Sequence, residues 1–143
     1  MHIKASKGAS TNCFGLISRK NNFHYKITKN NINADFIVEF LDEFSFFLKK
    51  ETVIILDNAS AHKAGKVKNL LEIWQNRGLY IYYLPPYSPK LNIIERLWKE
   101  FKEGWLRPID YLSADDLFYA VDRVCANIGT NLFMYFSIFS LNK

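Results

Sequence analysis

The chain has few of the features that mark secreted, membrane-bound or repetitive proteins. Its two cysteines, Cys13 and Cys125, have the spacing of neither a metal site nor a disulfide framework, so both are predicted to be core residues of a reduced protein. The N-terminus has no apolar signal-peptide core, and no apolar run approaches the roughly 20 residues that a membrane helix needs. Repeats, low-complexity tracts and linkers are missing from the sequence too. We therefore expect a cytoplasmic protein with no membrane partner.

The chain nevertheless carries enough apolar sequence for one folded domain. It has 143 residues, of which 49% are hydrophobic, and this excludes disorder as the main state. The net charge of +5 suits a phosphate-bearing partner such as DNA or RNA, but an ordinary basic protein has the same balance.

Hydrophobic patterning predicts the element order β-β-α-β-α-β-α-α, with parallel βαβ pairing in the second half. The predicted strands are 13–18, 23–28, 52–56 and 79–84. The predicted helices are 34–48 after an Asn33 cap, one after a Ser60 cap, 93–105, and one after a Ser113 cap. The ends, 1–10 and 130–143, have no clear period and are not assigned.

Two acids lie where a metal site for phosphoryl transfer would need them. Asp57 follows the apolar run 52–56, which is predicted to be a strand covered on both faces. Catalytic groups of open α/β sheets gather at such strand ends. Glu95 lies in the first turn of a helix after a Pro-rich loop, and Mg²⁺ prefers such carboxylate ligands. Alternatively, Asp57 caps a turn and Glu95 forms an i,i+4 ion pair with Lys99.

Neighbouring residues could support this site. Asn58 is a further possible oxygen ligand. His62 could be a general base, a metal ligand, a DNA contact or a hydrogen-bonded structural residue. Tyr87 and Ser88 of the Pro-rich loop could donate to a phosphate or simply pack the loop. Four lysines could hold a nucleic-acid backbone, namely Lys63, Lys66, Lys99 and Lys102. Alternatively, they are ordinary solvated residues on helix surfaces.

Two sequence blocks resemble the second and third catalytic blocks of the IS630/Tc1/mariner transposase superfamily, which are DDE endonucleases with an RNase H-like fold. They are ILDNASAHKA (55–64) and LPPYSPKLNIIERLWKEFK (84–102), and the resemblance covers roughly residues 10–105. It implies that Asp57 and Glu95 are the second and third acids of a triad that holds two Mg²⁺ or Mn²⁺ ions. The family's supporting positions are matched by His62, Tyr87, Ser88 and Asn92.

The sequence departs from this family at two places. Ile93 stands where the family usually has Pro, which is a mild change because Pro is only favoured at the first helical position. The family's first acid has no counterpart, because the first carboxylate of the chain is Asp35, which opens a predicted helix. The family's N-terminal helix-turn-helix has no counterpart either. We therefore expect an RNase H-like mixed sheet, flanked by helices, that lacks its first central strand and has two unpaired inner edges.

The resemblance thus predicts a single DDE catalytic domain fragment over 1–143, left by decay of a transposase copy or by frameshift-joined reading frames. Intact members cut and rejoin DNA, but this chain alone is expected to be inactive because the first acid is missing. The expected partners are DNA of transposon ends and targets, a second copy, or the upstream-frame product. The alternatives are a non-catalytic DNA-binding or transposase-interacting fragment, and an unrelated small Mg²⁺ phosphohydrolase.

Overall fold

The computed structural model describes residues 1–6, 8–88 and 91–136, and it divides into two compact units. The first unit comprises Met1–Asn30 and Ile93–Lys143, and the second comprises Asn31–Asn92. The strands are β1 (His2–Lys4), β2 (Ser10–Ile17), β3 (Phe23–Thr28), β4 (Thr52–Leu56) and β5 (Leu79–Tyr83). The helices are α1 (Ala34–Phe46), α2 (Gly65–Lys68), α3 (Leu71–Asn76), α4 (Ile93–Glu100) and α5 (Ala114–Asn127). No helix in the described ranges is long and apolar enough to cross a membrane.

An antiparallel sheet in the order β1-β2-β3 forms one layer of the first unit. β2 pairs with β3 from Asn12 opposite Thr28 to Ile17 opposite Phe23, so the predicted hairpin is confirmed. β1 pairs only with the beginning of β2, and it lies in the segment 1–10 that patterning left unassigned. Residues 137–143 of the other unassigned end lie outside the described residues.

The core of the first unit lies between this sheet and α5. Ser113 caps α5 as predicted, because its hydroxyl accepts a hydrogen bond from the amide of Asp116 at 3.1 Å. Cys13 and Cys125 are both buried in this core with their Sγ atoms 3.9 Å apart, so the prediction that they are core residues is confirmed. The largest fully buried side chains here are Phe101, Leu97, Leu117 and Val121.

One buried carboxylate of the first unit, that of Asp110, is well partnered. It accepts hydrogen bonds from the amide of Arg107 at 2.8 Å and its guanidinium at 3.3 Å, and the Arg123 guanidinium lies 3.7 Å away. Burial alone would raise the pKa of Asp110, but these partners lower it below its ordinary value. Because the pKa of Asp110 is lowered in the folded chain, its ionised carboxylate stabilises the fold at pH values above the pKa of the unfolded chain. This stabilisation is lost as the pH falls through the pKa of the folded chain.

Gly129 packs against the hairpin turn in a conformation that favours glycine. Its φ is +88°, and a Cβ there would lie 2.6 Å from the carbonyl oxygen of Asn21. We expect Gly129→Ala to lower the free energy of unfolding by about 1–3 kcal/mol. Gly65→Ala is a matched control, since the Cβ position of Gly65 has open space and its φ is unstrained. Denaturant unfolding of both variants measures the difference, and equal stabilities would contradict this explanation.

A parallel pair of strands, β4 beside β5, lies in the second unit, as the βαβ pattern predicts. The register runs from Thr52 opposite Leu79 to Leu56 opposite Tyr83. Asn33 caps α1 as predicted, since its side-chain oxygen accepts from the amide of Phe36 at 3.0 Å. The most deeply buried side chains of this unit are Ile37, Leu41, Val67, Trp74 and Leu79.

Three predictions for the second unit are wrong. The run 52–56 is not covered on both faces, because Val53 and Ile55 are 64% and 51% exposed on the face where no described helix covers them. The helix predicted over 34–48 ends at Phe46, and Phe47 beyond its end is 79% exposed. The helix predicted from Ser60 is instead a 3-10 turn (Ser60–Lys63), α2 and α3, and its cap is Ala59.

The break in that predicted helix has a local cause. Ala64 adopts an extended conformation with φ −58° and ψ 152°, which ends the 3-10 turn. Gly65 follows directly, and glycine lowers helix stability by up to about 1 kcal/mol relative to Ala. The chain therefore restarts as a new helix at Gly65 instead of continuing from Ser60.

The pairing of the strand edges tests the expectation that the first central strand is missing. β4 is paired with β5 on one side, and no strand of the described residues pairs with its other edge. β1 is paired with β2 alone, over three residue pairs, and it contains no acid. β1 thus pairs with the edge of β2 that was expected to be open, so the prediction of two unpaired inner edges is wrong for the hairpin, whereas β4 has one unpaired edge among the described residues.

Candidate active site

Asp57 directly follows β4, as predicted, and its carboxylate is held in one orientation. Oδ1 accepts a hydrogen bond from the amide of Ala59 at 2.9 Å and lies 2.8 Å from Nδ1 of His62. Oδ2 has no partner among the described residues, and the side chain is 41% exposed. Asp57 therefore caps a turn through one oxygen and still offers the other to a ligand.

His62 lies in the 3-10 turn after β4, where its surroundings fix its position. Its ring is only 15% exposed. Tyr83, at the end of β5, donates a hydrogen bond to the His62 carbonyl oxygen at 2.6 Å. Burial raises the pKa of Tyr83, so its hydroxyl stays a donor. Of the roles left open for His62, these contacts favour that of a residue that orients the Asp57 carboxylate.

Sequence reasoning did not identify Tyr83. No sequence signal pointed to it, and the parallel register brings it to the site, because Leu56 and Tyr83 lie opposite each other at the ends of their strands. A residue at the end of β5 is therefore close to the turn that follows Asp57. Asn58, the other possible ligand, is half-exposed in that turn.

The Pro-rich loop presents Tyr87 to solvent. The Tyr87 side chain is fully exposed, and its φ of +59° is unusual for a bulky residue. Ser88 donates from its hydroxyl to the Pro86 carbonyl at 3.4 Å, and Asn92 is buried. Tyr87 is thus exposed enough to meet a partner molecule.

Glu95 lies in the first turn of α4, as predicted, and belongs to the first unit. It is exposed, as are Lys99 and Lys102 further along the same segment. Neither Glu95 nor Lys99 belongs to an ion pair within the described ranges, so the alternative i,i+4 pair is not formed. The Glu95 carboxylate is therefore available to a ligand.

The two candidate lysines of the second unit differ in their surroundings. Lys66 forms an exposed ion pair with Asp35 at 2.7 Å. Such surface pairs are worth only about 0–1 kcal/mol, so Lys66 can exchange Asp35 for a phosphate at little cost. Lys63 is half-buried in the 3-10 turn.

The two acids fit a divalent cation as individual ligands but do not by themselves complete a site. Asp57 and Glu95 both offer exposed carboxylate oxygens, which are the hard ligands that Mg²⁺ prefers. Asp57, Asn58 and His62 come together in the second unit, while Glu95 belongs to the first. In the part of the chain that the structure describes, no group of three or more His, Cys, Asp or Glu residues could hold a metal ion.

Residues 3–117 match the family described as DDE superfamily endonuclease, and the chain therefore belongs to this family. Endonucleases of this superfamily generally use divalent metal ions and bind DNA. The exposed acid at the end of β4 is in keeping with this membership.

The chain is also similar to two known proteins. An uncharacterized protein of Sinorhizobium fredii (strain NBRC 101917 / NGR234), y4pE/y4sA, is 34% identical over 74 residues, which make up 52% of this chain and 48% of that protein. The other is a chain from the cryo-EM structure of the simian T-cell lymphotropic virus intasome in complex with PP2A regulatory subunit B56 gamma. It aligns with a TM-score of 0.59 at 14% identity and covers 94% of this chain and 47% of that chain.

The structural similarity shows the fold alone, because the identity is low. The fold is mixed α/β with small sheets flanked by helices and is similar to the integrase-like, RNase H-like fold, as predicted. The matches span about half the length of both relatives.

Proposed function

We propose that the 143 residues form one DDE transposase catalytic domain of the IS630/Tc1/mariner type, which acts on DNA in the cytoplasm. The observation that carries this proposal is the Asp57 carboxylate, which is held through Oδ1 and open at Oδ2 directly after β4. Glu95 is the second metal-binding acid contributed by this chain. The remaining acid comes from a segment outside these residues, in the same polypeptide or in a separate upstream product.

Each residue of the site has a separate task in the proposed reaction. Asp57 and Glu95 would each supply a carboxylate ligand for divalent ions, together with the acid from outside these residues, and such ions would supply activation of the attacking hydroxyl and stabilisation of the leaving oxygen of a phosphodiester. His62 keeps the Asp57 carboxylate in place, and Asn58 adds a neutral oxygen beside it. Tyr87 and Ser88 face the DNA from the loop, which Asn92 anchors. The lysines that neutralise phosphates are Lys63, Lys66, Lys99 and Lys102.

A second candidate function is a DNA-binding or transposase-interacting fragment without catalysis. It is favoured by the finding that no group of three possible metal ligands exists within the described ranges. The partner in that case is intact transposase or a second copy of this chain. DNA binding that is unchanged in Asp57→Ala and Glu95→Ala, together with no divalent-metal binding at Asp57, would favour this candidate.

Pure protein, incubated with transposon-end or plasmid DNA and Mg²⁺ or Mn²⁺, is expected to show no strand cleavage or joining above background. The physical reason is that two acids alone do not complete a two-metal site. Gel analysis of nicked and joined products measures the activity, with Asp57→Ala as the control. Robust cleavage that Asp57→Ala abolishes would contradict the proposal that an acid is missing.

A further inference from the structure

The two cysteines of the chain meet in the core of the first unit. The Sγ atoms of Cys13 and Cys125 lie 3.9 Å apart, although 112 positions of sequence separate the two residues. Both side chains are almost completely buried. The chain has no other cysteine, so within one molecule these two thiols can pair only with each other.

Regular structure fixes the backbone at both positions. Cys13 lies in β2, where it pairs opposite Ile27 on one side. On its other side it exchanges two backbone hydrogen bonds with Met1, at 2.9 and 2.8 Å. Cys125 lies in the last turn of α5, and its carbonyl oxygen accepts from the amide of Ile128 at 3.3 Å. The two sulfurs are therefore carried by elements whose positions the fold determines.

A disulfide between these residues would need only a small movement. The sulfurs of a disulfide are about 2.05 Å apart, so each Sγ has to move by about 1 Å from the present separation of 3.9 Å. A modest rotation about χ1 of each cysteine supplies this movement. The bond replaces two S–H groups and adds no atom, so the close-packed core does not have to expand.

We propose that Cys13 and Cys125 form a site of reversible oxidation, at which a disulfide joins β2 to α5. The contact between the only two thiols of the chain, on two different elements, carries this proposal. The second unit contains no cysteine. The oxidation site is therefore separate from Asp57 and does not depend on the proposed function.

The disulfide of a small thiol, such as oxidised glutathione, is a sufficient oxidant. The thiolate of one cysteine attacks this small disulfide, forms a mixed disulfide and releases one molecule of the small thiol. The thiolate of the other cysteine then attacks the protein sulfur of the mixed disulfide, which forms the Cys13–Cys125 bond and releases the second small thiol. The cysteines lose two electrons and two protons in total, and the two small thiols take them up.

The cross-link is expected to stabilise the first unit. A disulfide acts mainly by restricting the unfolded chain, and its effect grows with the length of the loop that it closes. The loop between Cys13 and Cys125 contains β3, the whole second unit and α4. We expect the oxidised protein to melt about 5–15 °C above the reduced protein.

Oxidation of the purified wild-type chain tests the site directly. The protein is incubated with excess oxidised glutathione, both without urea and in intermediate urea, because burial of the thiols slows the reaction in the native state. Intact-mass analysis is expected to show monomer that has lost two hydrogen atoms. Circular dichroism melting of this product is expected to give the raised Tm, and dithiothreitol is expected to restore the reduced value.

Cys13→Ala and Cys125→Ala are matched controls, since each variant keeps one of the two thiols. Under the same treatment they are expected to give only mixed disulfides or cross-linked dimers, without a raised Tm. The proposal would be overturned if mixed disulfides or dimers were also the main products of the wild-type chain in both urea conditions. An intramolecular disulfide that leaves Tm unchanged or lowers it would overturn it too.

Discussion

Asp57→Asn is expected to weaken Mn²⁺ binding at the end of β4 by more than about 100-fold, because losing even an outer partner of a metal ligand costs about 10–100-fold. The substitution keeps the shape of the side chain and removes its charge. Oδ1 is already engaged by Ala59 and His62, so the open oxygen at this position is the one offered to a cation. Paramagnetic broadening of the Asn58 and Ala59 amide signals during a Mn²⁺ titration measures the affinity.

Two control variants distinguish the effect of losing the proposed metal ligand Asp57 from the effect of changing a residue near it. Asp35→Asn removes an exposed acid of the same unit, which is paired with Lys66, and is expected to leave the titration unchanged. His62→Ala is expected to weaken binding by about 10-fold, and His62→Asn, which retains a donor, to recover part of the loss. Unchanged broadening in Asp57→Asn, or wild-type broadening at residues remote from Asp57, would reject Asp57 as a ligand.

Trp74→Ala is expected to lower the free energy of unfolding of the second unit by about 3–5 kcal/mol, which is the usual cost of deleting a buried Trp. Trp74 is fully buried, and its indole Nε1 donates to Oδ1 of Asp42 at 3.1 Å. The same oxygen accepts from Arg77 at 2.6 Å. The Trp74 hydrogen bond, and then that of Arg77, lower the pKa of Asp42, so the substitution removes both packing and a donor to a carboxylate.

The neighbouring residue gives a matched control for this loss. Ile73 precedes Trp74 in α3 but is 44% exposed, so Ile73→Ala is expected to cost less than about 1 kcal/mol. Urea unfolding followed by circular dichroism compares the two variants without relying on Trp fluorescence. Similar losses in both would show that burial of Trp74 does not stabilise the second unit.

Features that are determined within a few residues could be predicted from the sequence. The Asn33 and Ser113 caps depend on one side chain and an amide three residues later, and both are formed as expected. The bounds of β3 follow from simple alternation. The parallel pairing of β4 with β5 follows from the strand-helix-strand order.

Features that depend on distant partners could not be predicted. β1 has only three residues, and its pairing with β2 defines it as a strand. The exposure of Val53 and Ile55 depends on which elements cover the sheet, and the run of β-branched residues carries no information about that.

The candidate site shows the same division. The place of Asp57 after a strand could be predicted from the apolar run before it. The contact of His62 with Asp57 could not, because a 3-10 turn, and not the expected helix, sets the distance between them. The hydrogen bond from Tyr83 depends on strand register, which spacing along the chain does not specify.

The adjacent thiols of Cys13 and Cys125 can be used to detect opening of the first unit. The hydrogen bond with Cys13, together with burial, raises the pKa of Cys125, so little reactive thiolate forms while the thiols stay enclosed. The chain has no other cysteine, and both belong to the first unit. The rate of alkylation by a thiol reagent therefore measures how often the first unit opens.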